Sequence, residues 1–164
     1  EEYLKETAAL LKMKSFDGLH ERIQKLLEEN ASLKKQISEA ESKAMASEAD
    51  SVLSKAEDYN GIQALFLKLQ GKDTKGLKEY AETLRNKLTN GFVFISNEVD
   101  GKTTFVCASS KEAIQKGIKA GDIVKMAATM CGGNGGGRPD MAQAGAKDAS
   151  KIDEAIQSIK EKLQ

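Results

Sequence analysis

The chain has 164 residues, and its 25 Lys and Arg residues are balanced by 25 Asp and Glu residues, which gives a formal net charge of zero. This length suits one medium domain, or one small domain with an extended element, and the balanced charge argues against a strongly basic nucleic-acid binder. The sequence has neither an apolar run long enough to cross a membrane nor the basic start and apolar core of a secretory signal.

The first 50 residues are rich in Glu, Lys, Ala and Leu and contain one glycine and no proline. Apolar residues recur at helical spacing over residues 1–13, which predicts a short first helix. Ser15 is a candidate N-cap after a break, and a long second helix is expected to begin near Phe16. Because the sequence starts with EEYLK and lacks an initiator methionine, we expect a piece of a longer protein or a processed chain.

The second helix carries a strict heptad, with seam positions spaced alternately three and four residues apart. The positions are Phe16, Leu19, Ile23, Leu26, Asn30, Leu33, Ile37, Ala40 and Ala44. An isolated amphipathic helix drifts off a 3.5-residue repeat, so the spacing favours a supercoiled partner, and a polar residue such as Asn30 commonly fixes the register of such a seam. The partner is either a second copy of the chain or the chain's own first helix, which is too short to cover more than half of the seam. We therefore expect a homodimer with an interface formed by Leu19, Ile23, Leu26, Asn30, Leu33 and Ile37.

After residue 50 the hydrophobic period changes, which separates a helical, coiled-coil arm (residues 1–50) from a globular part (residues 51–164). The pattern predicts strands and one helix in the order Val52–Ala56 (strand), Ile62–Leu67 (strand), Thr74–Leu88 (helix), Phe92–Ile95 (strand) and Thr103–Cys107 (strand after the Asp100-Gly101 hairpin turn). Three more helices are predicted at Lys111–Lys116, Ala120–Met130 and Lys151–Leu163, the last with Ser150 as its N-cap. This order predicts an α+β fold in which the helical arm is followed by a small mixed β-sheet with flanking helices on one face.

Residues 131–145 read CGGNGGGRPDMAQAG and carry the most functional information in the chain. Glycines let another molecule approach the backbone, and bare N–H groups in a glycine-rich loop can form a concave nest for phosphate oxygens. Arg138 adds a planar cation that can fork onto a phosphate or stack on a base, and Pro139, the only proline, stiffens the exit from the loop. The alternative interpretation of the glycine run is a flexible loop without a binding function that joins two helices. The single arginine–proline step between ordered flanks instead favours one defined loop shape and a surface for an anionic polymer or ligand.

The residue types needed for catalysis or metal binding are scarce. His20 is the only histidine, and Cys107 and Cys131 lie far apart in the sequence. These residues cannot form an ordinary four-ligand zinc site without several carboxylates, and no serine or cysteine has a histidine that could act as its base. We therefore expect no catalytic residue, no metal and no cofactor, and two reduced thiols in a cytoplasmic protein.

The stretch GGNGGGRPDMAQAG closely resembles the signature of the C-terminal domain of alanyl-tRNA synthetases, a module related to the substrate-binding domain of DHH phosphoesterases. The phosphoesterases have histidine after the glycines, roughly GGGH, whereas this chain has Arg138-Pro139-Asp140, which favours the synthetase branch. The resemblance extends over essentially the whole chain. The family usually has two glycines after AQA, where this chain has Gly145-Ala146.

This resemblance implies that the chain binds the elbow of tRNA(Ala) and dimerises through its helical arm. The RNA contacts would come from Gly132, Gly133, Asn134, Gly135, Gly136, Gly137, Arg138 and Pro139. Lys147 would be either a further phosphate contact or a solvated lysine, and Asp140 would orient Arg138 or cap a turn. Aminoacylation and editing, with their ATP, Mg and Zn, would belong to domains that are not part of this sequence. Two alternatives stay open: a substrate-binding domain of a DHH-type phosphoesterase, and a dimerisation module that binds no nucleic acid.

Overall fold

The computed structural model describes all residues, 1–164, and has the predicted α+β class. The helices are Glu2–Leu10 (α1), Leu19–Leu53 (α2), Thr74–Lys87 (α3), Lys111–Gln115 (α4), Ala120–Met130 (α5) and Ile152–Leu163 (α6). The strands are Glu57–Tyr59 (β1), Ile62–Gln70 (β2), Phe92–Val99 (β3), Lys102–Ser109 (β4), Asn134–Gly137 (β5) and Met141–Ala146 (β6), and a 3₁₀ turn at Ala149–Lys151 precedes α6. None of the helices is both long and apolar enough to cross a membrane.

The chain forms two compact units, Glu1–Ala40 and Glu41–Gln164. The boundary lies within α2, earlier than residue 50, where the change of sequence period places it. The reason is that the last turns of α2 contribute Met45 and Ala49 to the core of the second unit, where both side chains are buried.

In the first unit, α2 begins at Leu19, so the predictions of a start near Phe16 and of Ser15 as the N-cap are wrong. The Ser15 hydroxyl instead donates to the Asp17 carboxylate at 3.2 Å. Gly18 has a φ of +76°, and a right-handed helix cannot continue through that conformation. The helix therefore starts immediately after the glycine.

The second unit is built on one six-stranded sheet with the order β1-β2-β3-β4-β6-β5. The β2–β3 pair is parallel and is joined by α3, because parallel neighbours need a crossover connection. Every other neighbouring pair is antiparallel. The strand β5 therefore lies at one edge of the sheet, beside β6.

Helices cover both faces of this sheet, whereas the sequence predicted one. On one face, Val93 and Val106 pack with α3 and the end of α2, and on the other face Phe94 and Phe105 pack with α5 and α6. Strands that are buried on both sides read as continuous apolar runs, which is the pattern of Phe92–Ile95.

Two local predictions are wrong. Residues Val52–Ala56 do not form a strand, because Val52 and Leu53 complete α2 and pack against the sheet core. Ser150 is not the N-cap of α6, because it lies within the 3₁₀ turn and Lys151 is the residue at that position. Asp148 caps the 3₁₀ turn instead, since its carboxylate accepts the Ser150 N–H at 3.0 Å.

Candidate functional site

The glycine-rich segment begins as the C-terminal cap of α5. Gly132 has a φ of +68°, its N–H donates to the Thr129 carbonyl at 3.3 Å, and the Gly133 N–H donates to the Ala128 carbonyl at 2.7 Å. This is the Schellman arrangement, in which a left-handed glycine ends a helix. The N–H groups of both glycines are therefore used inside the protein.

The remainder of the glycine run is a strand, not a loop between two helices. Asn134–Gly137 forms β5 and pairs antiparallel with Met141–Ala146, so that Arg138–Asp140 becomes the tip of a hairpin. Gly132 alone in the run has a positive φ, whereas a nest needs alternating right- and left-handed residues. The predicted nest of glycine N–H groups is therefore wrong, although the segment is exposed at the sheet edge.

Three glycines of the run are required by packing against β6. A Cβ on Gly135 would overlap Ala144, its direct partner across the hairpin, and a Cβ on Gly137 would lie 2.8 Å from the Ala142 Cα. A Cβ on Gly133 would overlap the Gly145 carbonyl. The hairpin strands thus approach more closely than side chains would allow.

The helix α5 also packs directly on this backbone. A Cβ on Gly121, in the first turn of α5, would lie 2.5 Å from the Gly137 carbonyl oxygen. The hairpin and the helix are therefore closely packed, because their backbones meet at two glycines, Gly121 and Gly137, neither of which carries a side chain.

The tip of the hairpin presents Arg138 to solvent in a defined orientation. Its Nη2 donates to the Asp140 Oδ2 at 3.0 Å, while the Arg138 side chain remains 76% exposed and that of Asp140 45% exposed. As expected from the sequence, Asp140 orients the arginine. An exposed guanidinium in this position can take up a phosphate or stack on a base.

Three hydrogen bonds to backbone carbonyls, two from N–H groups of the backbone and one from a side chain, hold the tip in place. The Pro139 carbonyl accepts the Ala120 N–H at the start of α5 at 2.8 Å, and the Asp140 carbonyl accepts the Ser109 N–H at 2.9 Å. The Asp140 carbonyl also accepts a bond from Arg85 Nη1 at 3.2 Å. Arg85 was not identified from the sequence, since it lies on α3, 55 residues from Asp140.

Lys147 lies at the opposite end of the hairpin from Arg138. Its backbone N–H donates to the Cys131 carbonyl at 3.1 Å, next to the end of α5, and its side chain is exposed. A four-residue strand spans roughly 13 Å, so Arg138 and Lys147 cannot both contact one phosphate. They can instead contact two points along an extended anionic chain.

In the helical arm, the predicted dimer residues form a largely solvent-exposed stripe. Leu19 and Leu26 are half-buried, whereas Ile23, Leu33 and Ile37 are 40%, 57% and 59% exposed. Asn30 is exposed as well. A row of large apolar side chains in water is costly, which favours a partner on this face.

Neither cysteine is poised for chemistry. Cys107 and Cys131 are free and fully buried. Burial raises the pKa of both thiols, and the nearby Asp148 raises that of Cys131 further. Both thiols are protonated at neutral pH and are poor nucleophiles. No group of three or more His, Cys, Asp or Glu side chains is close enough to hold a metal ion.

Comparison with known proteins gives one family for most of the chain. Residues 61–164 match the DHHA1 domain. An alanine–tRNA ligase of Clostridioides difficile is 42% identical over 162 residues, a match that covers 94% of the chain. The chain spans 18% of the length of that ligase.

Two solved structures share the fold. The C-Ala domain of the Aquifex aeolicus alanyl-tRNA synthetase matches with a TM-score of 0.62 and 30% identity, over 66% of this chain and 97% of that domain. RecJ of Thermus thermophilus, determined in complex with Mg²⁺, matches with a TM-score of 0.52 and 18% identity, over 96% of this chain and 22% of RecJ. The RecJ likeness extends to the fold alone.

Proposed function

The chain belongs to the DHHA1 domain family and is a counterpart of the C-terminal domain of alanyl-tRNA synthetases, and on this premise we propose that it binds tRNA and dimerises as part of an alanine–tRNA ligase. The observation that carries this proposal is the 42% identity to such a ligase, which runs through 94% of the chain.

The β5–β6 hairpin supplies the proposed RNA contact. RNA elbows offer phosphates, 2′-hydroxyls and splayed bases, and the exposed, pre-oriented Arg138 suits the phosphates and the base faces. Gly132–Pro139 would form the RNA-facing segment, and Lys147 would add a contact at the other end of the hairpin. We place the contact at the elbow of tRNA(Ala).

The helical arm supplies the proposed homodimer through Leu19, Ile23, Leu26, Asn30, Leu33 and Ile37. A balanced net charge implies modest RNA affinity for one chain. Dimerisation and attachment to other RNA-binding parts of a ligase would raise the effective concentration of this domain near its tRNA. The domain would then present tRNA to aminoacylation and editing centres in the rest of a cytoplasmic ligase, where ATP, Mg and Zn would act.

Affinity for a tRNA(Ala) transcript tests the RNA proposal. The variants are Arg138→Ala, Lys147→Ala and, as a control in the arm, Lys35→Ala, each measured at two salt concentrations. Arg138→Ala should cost about 1–3 kcal/mol of binding free energy. Lys147→Ala should lower the salt slope, which is the steepness with which log affinity falls with log salt concentration, by about 1. Lys35→Ala should bind as the wild type does.

Two outcomes contradict the proposal. If Arg138→Ala keeps full affinity while Lys35→Ala loses it, the RNA lies along the arm and the hairpin is structural. If the wild-type chain dimerises but binds no tRNA, the chain is a dimerisation module.

A second candidate is a substrate-binding domain of a DHH-type phosphoesterase, which the shared fold with RecJ brings into consideration. Arg138 stands where that branch has histidine, which disfavours it. Metal-dependent phosphodiester cleavage that copurifies with the chain would support this candidate, and its absence from the wild type with Mg²⁺ or Mn²⁺ would favour the synthetase branch.

A further inference from the structure

Two glycines of the β5–β6 hairpin, Gly136 and Gly145, are not required by the fold. A Cβ added to either would have no heavy atom within 4 Å, and neither residue has a positive φ. Glycine in a strand costs stability, because it loses more conformational freedom than other residues and has no side chain to pack. Packing explains why residue 135 is glycine, and backbone conformation explains why residue 132 is glycine. Neither reason applies to Gly136 or Gly145.

Both unexplained glycines lie on one face of the sheet. The alanines of β6 face the core under α5 and α6, so the alternate residues Gln143 and Gly145 face the other way. Gly136 pairs with Gln143, and Asn134 pairs with Gly145. These four residues therefore form one patch, in which Asn134, Gly136 and Gly145 are exposed and Gln143 is half-buried.

Two lysines flank this patch. Thr103 pairs with Ala146, so the next residues outward, Lys102 and Lys147, stand opposite each other. Lys102 shares the face of Val106, four residues along β4, and Val106 packs on the α3 side of the sheet. Both lysines are exposed. The patch thus combines bare backbone at Gly136 and Gly145 with the two amide side chains, and two cations border it.

We propose that this patch, termed the open face and formed by Lys102, Asn134, Gly136, Gln143, Gly145 and Lys147, receives the ribose–phosphate backbone of an RNA segment. The proposal rests on the tRNA-binding function proposed above and adds a surface to it. Glycine in a strand is a feature of sites where a ligand approaches the backbone closely, and here the two glycines would let a ribose lie against β5 and β6.

The polar groups of the open face fit an RNA strand. Lys102 and Lys147 pair with phosphates. The Asn134 Oδ1 already accepts the Gly135 N–H at 2.8 Å, which leaves its NH₂ group to donate outward. The Gln143 side chain is half-buried on this face, and its amide can both donate to and accept from a 2′-hydroxyl. An RNA segment that also reaches Arg138 would run along the hairpin to its tip.

Alanine substitutions of the two glycines test this surface directly, because a Cβ fits the folded chain at both positions. Gly136→Ala and Gly145→Ala should each weaken binding of a tRNA(Ala) transcript by about tenfold, with an unfolding midpoint at or above that of the wild type. The matched control is Gly76→Ala on α3, where a Cβ would lie 3.8 Å from the Ser42 Oγ. This control should leave affinity unchanged.

Side-chain variants give a second measurement that does not depend on the glycines. Lys102→Ala should lower the salt slope by about 1, whereas Lys111→Ala, on the exposed start of α4, should not. Gln143→Ala should weaken binding without changing the slope.

The possible results distinguish failure of the open face from failure of the tRNA-binding function on which it rests. If Arg138→Ala weakens binding but both glycine variants, Lys102→Ala and Gln143→Ala bind as the wild type does, the open face is overturned and tRNA binding stands. If the wild-type chain binds no tRNA, both proposals fail.

Discussion

Gly135 and Ala144 face each other across the β5–β6 hairpin with no room for a side chain on the glycine. An added methyl group would overlap the Ala144 Cβ and lie 2.8 Å from the Gln143 carbonyl oxygen. Gly135→Ala should therefore destabilise the fold by about 1–3 kcal/mol, the usual cost of overpacking. Urea unfolding of the variant against the wild type measures this loss.

The neighbouring Gly136→Ala is the control for that measurement, since its Cβ would point into open space. Its free energy of unfolding should stay within about 0.5 kcal/mol of the wild type. Equal destabilisation by both variants would mean that the strand needs glycine for a reason other than packing.

Arg85→Ala should loosen the hairpin tip. The Arg85 side chain is mostly buried, pairs with Glu82 at 3.4 Å and donates to the Asp140 carbonyl at 3.2 Å. Hydrogen bonds made by a charged group contribute about 1.5–3 kcal/mol, and we expect a loss in that range on urea unfolding, with weaker tRNA binding because Arg138 is less well positioned. Arg85→Lys keeps the positive charge but not the planar guanidinium, so its free energy of unfolding should lie between those of the wild type and Arg85→Ala. A variant as stable as the wild type would show that the Ala120 and Ser109 N–H groups hold the tip without Arg85.

The dimer seam is best tested where it is most exposed. Leu33→Asp combined with Ile37→Asp changes side chains that are more than half exposed in one chain, so the fold of each chain should survive. Charges in a buried seam cost several kcal/mol, and sedimentation should show that the double variant is a monomer. Ser32→Asp, on the outer side of the same helix, should remain a dimer. A wild-type monomer at about tens of micromolar, a working range for weak association, would contradict the seam.

Tyr59 should make stability depend on alkaline pH. Burial, together with the 2.5 Å bond that its hydroxyl donates to Glu57, raises the pKa of Tyr59 to about 12 from 10.0. The fold favours the neutral phenol, so the contribution is present below pH 10.0 and is lost as the pH rises toward about 12. The difference in unfolding free energy between wild type and Tyr59→Phe should therefore shrink across this window. A constant difference would show that the phenol titrates alike in the folded and unfolded chains.

The sequence predicts the elements whose own residues fix their structure. Regular apolar spacing locates α3 and α5, and the apolar runs that begin at Ile62 and Phe92 locate the buried strands β2 and β3. By contrast, NGGG and MAQAGA contain no β-branched or aromatic residue. They become strands because β6 pairs with β4 and because α5 packs closely on the hairpin, and a local pattern cannot reveal either contact.

The same limit applies to the site. The motif around Arg138 is visible in the sequence, and so is its ion pair with Asp140, two residues away. The Arg85 contact and the open face depend on which strands become neighbours. Lys102 and Lys147 come together only because β4 pairs with β6, so sequence reasoning could identify one of them and not the other.

The two buried thiols make the opening of this fold measurable without any added label. Cys107 lies on the central strand β4, and Cys131 lies where α5 passes into the hairpin. A thiol reagent can reach Cys107 only when the sheet separates, whereas it can reach Cys131 once the end of α5 and the hairpin detach. The alkylation rates of the two cysteines therefore report global and local opening separately. A ligand that binds the hairpin in its folded position will slow the alkylation of Cys131, and the rate will fall as the fraction of protein with bound ligand rises.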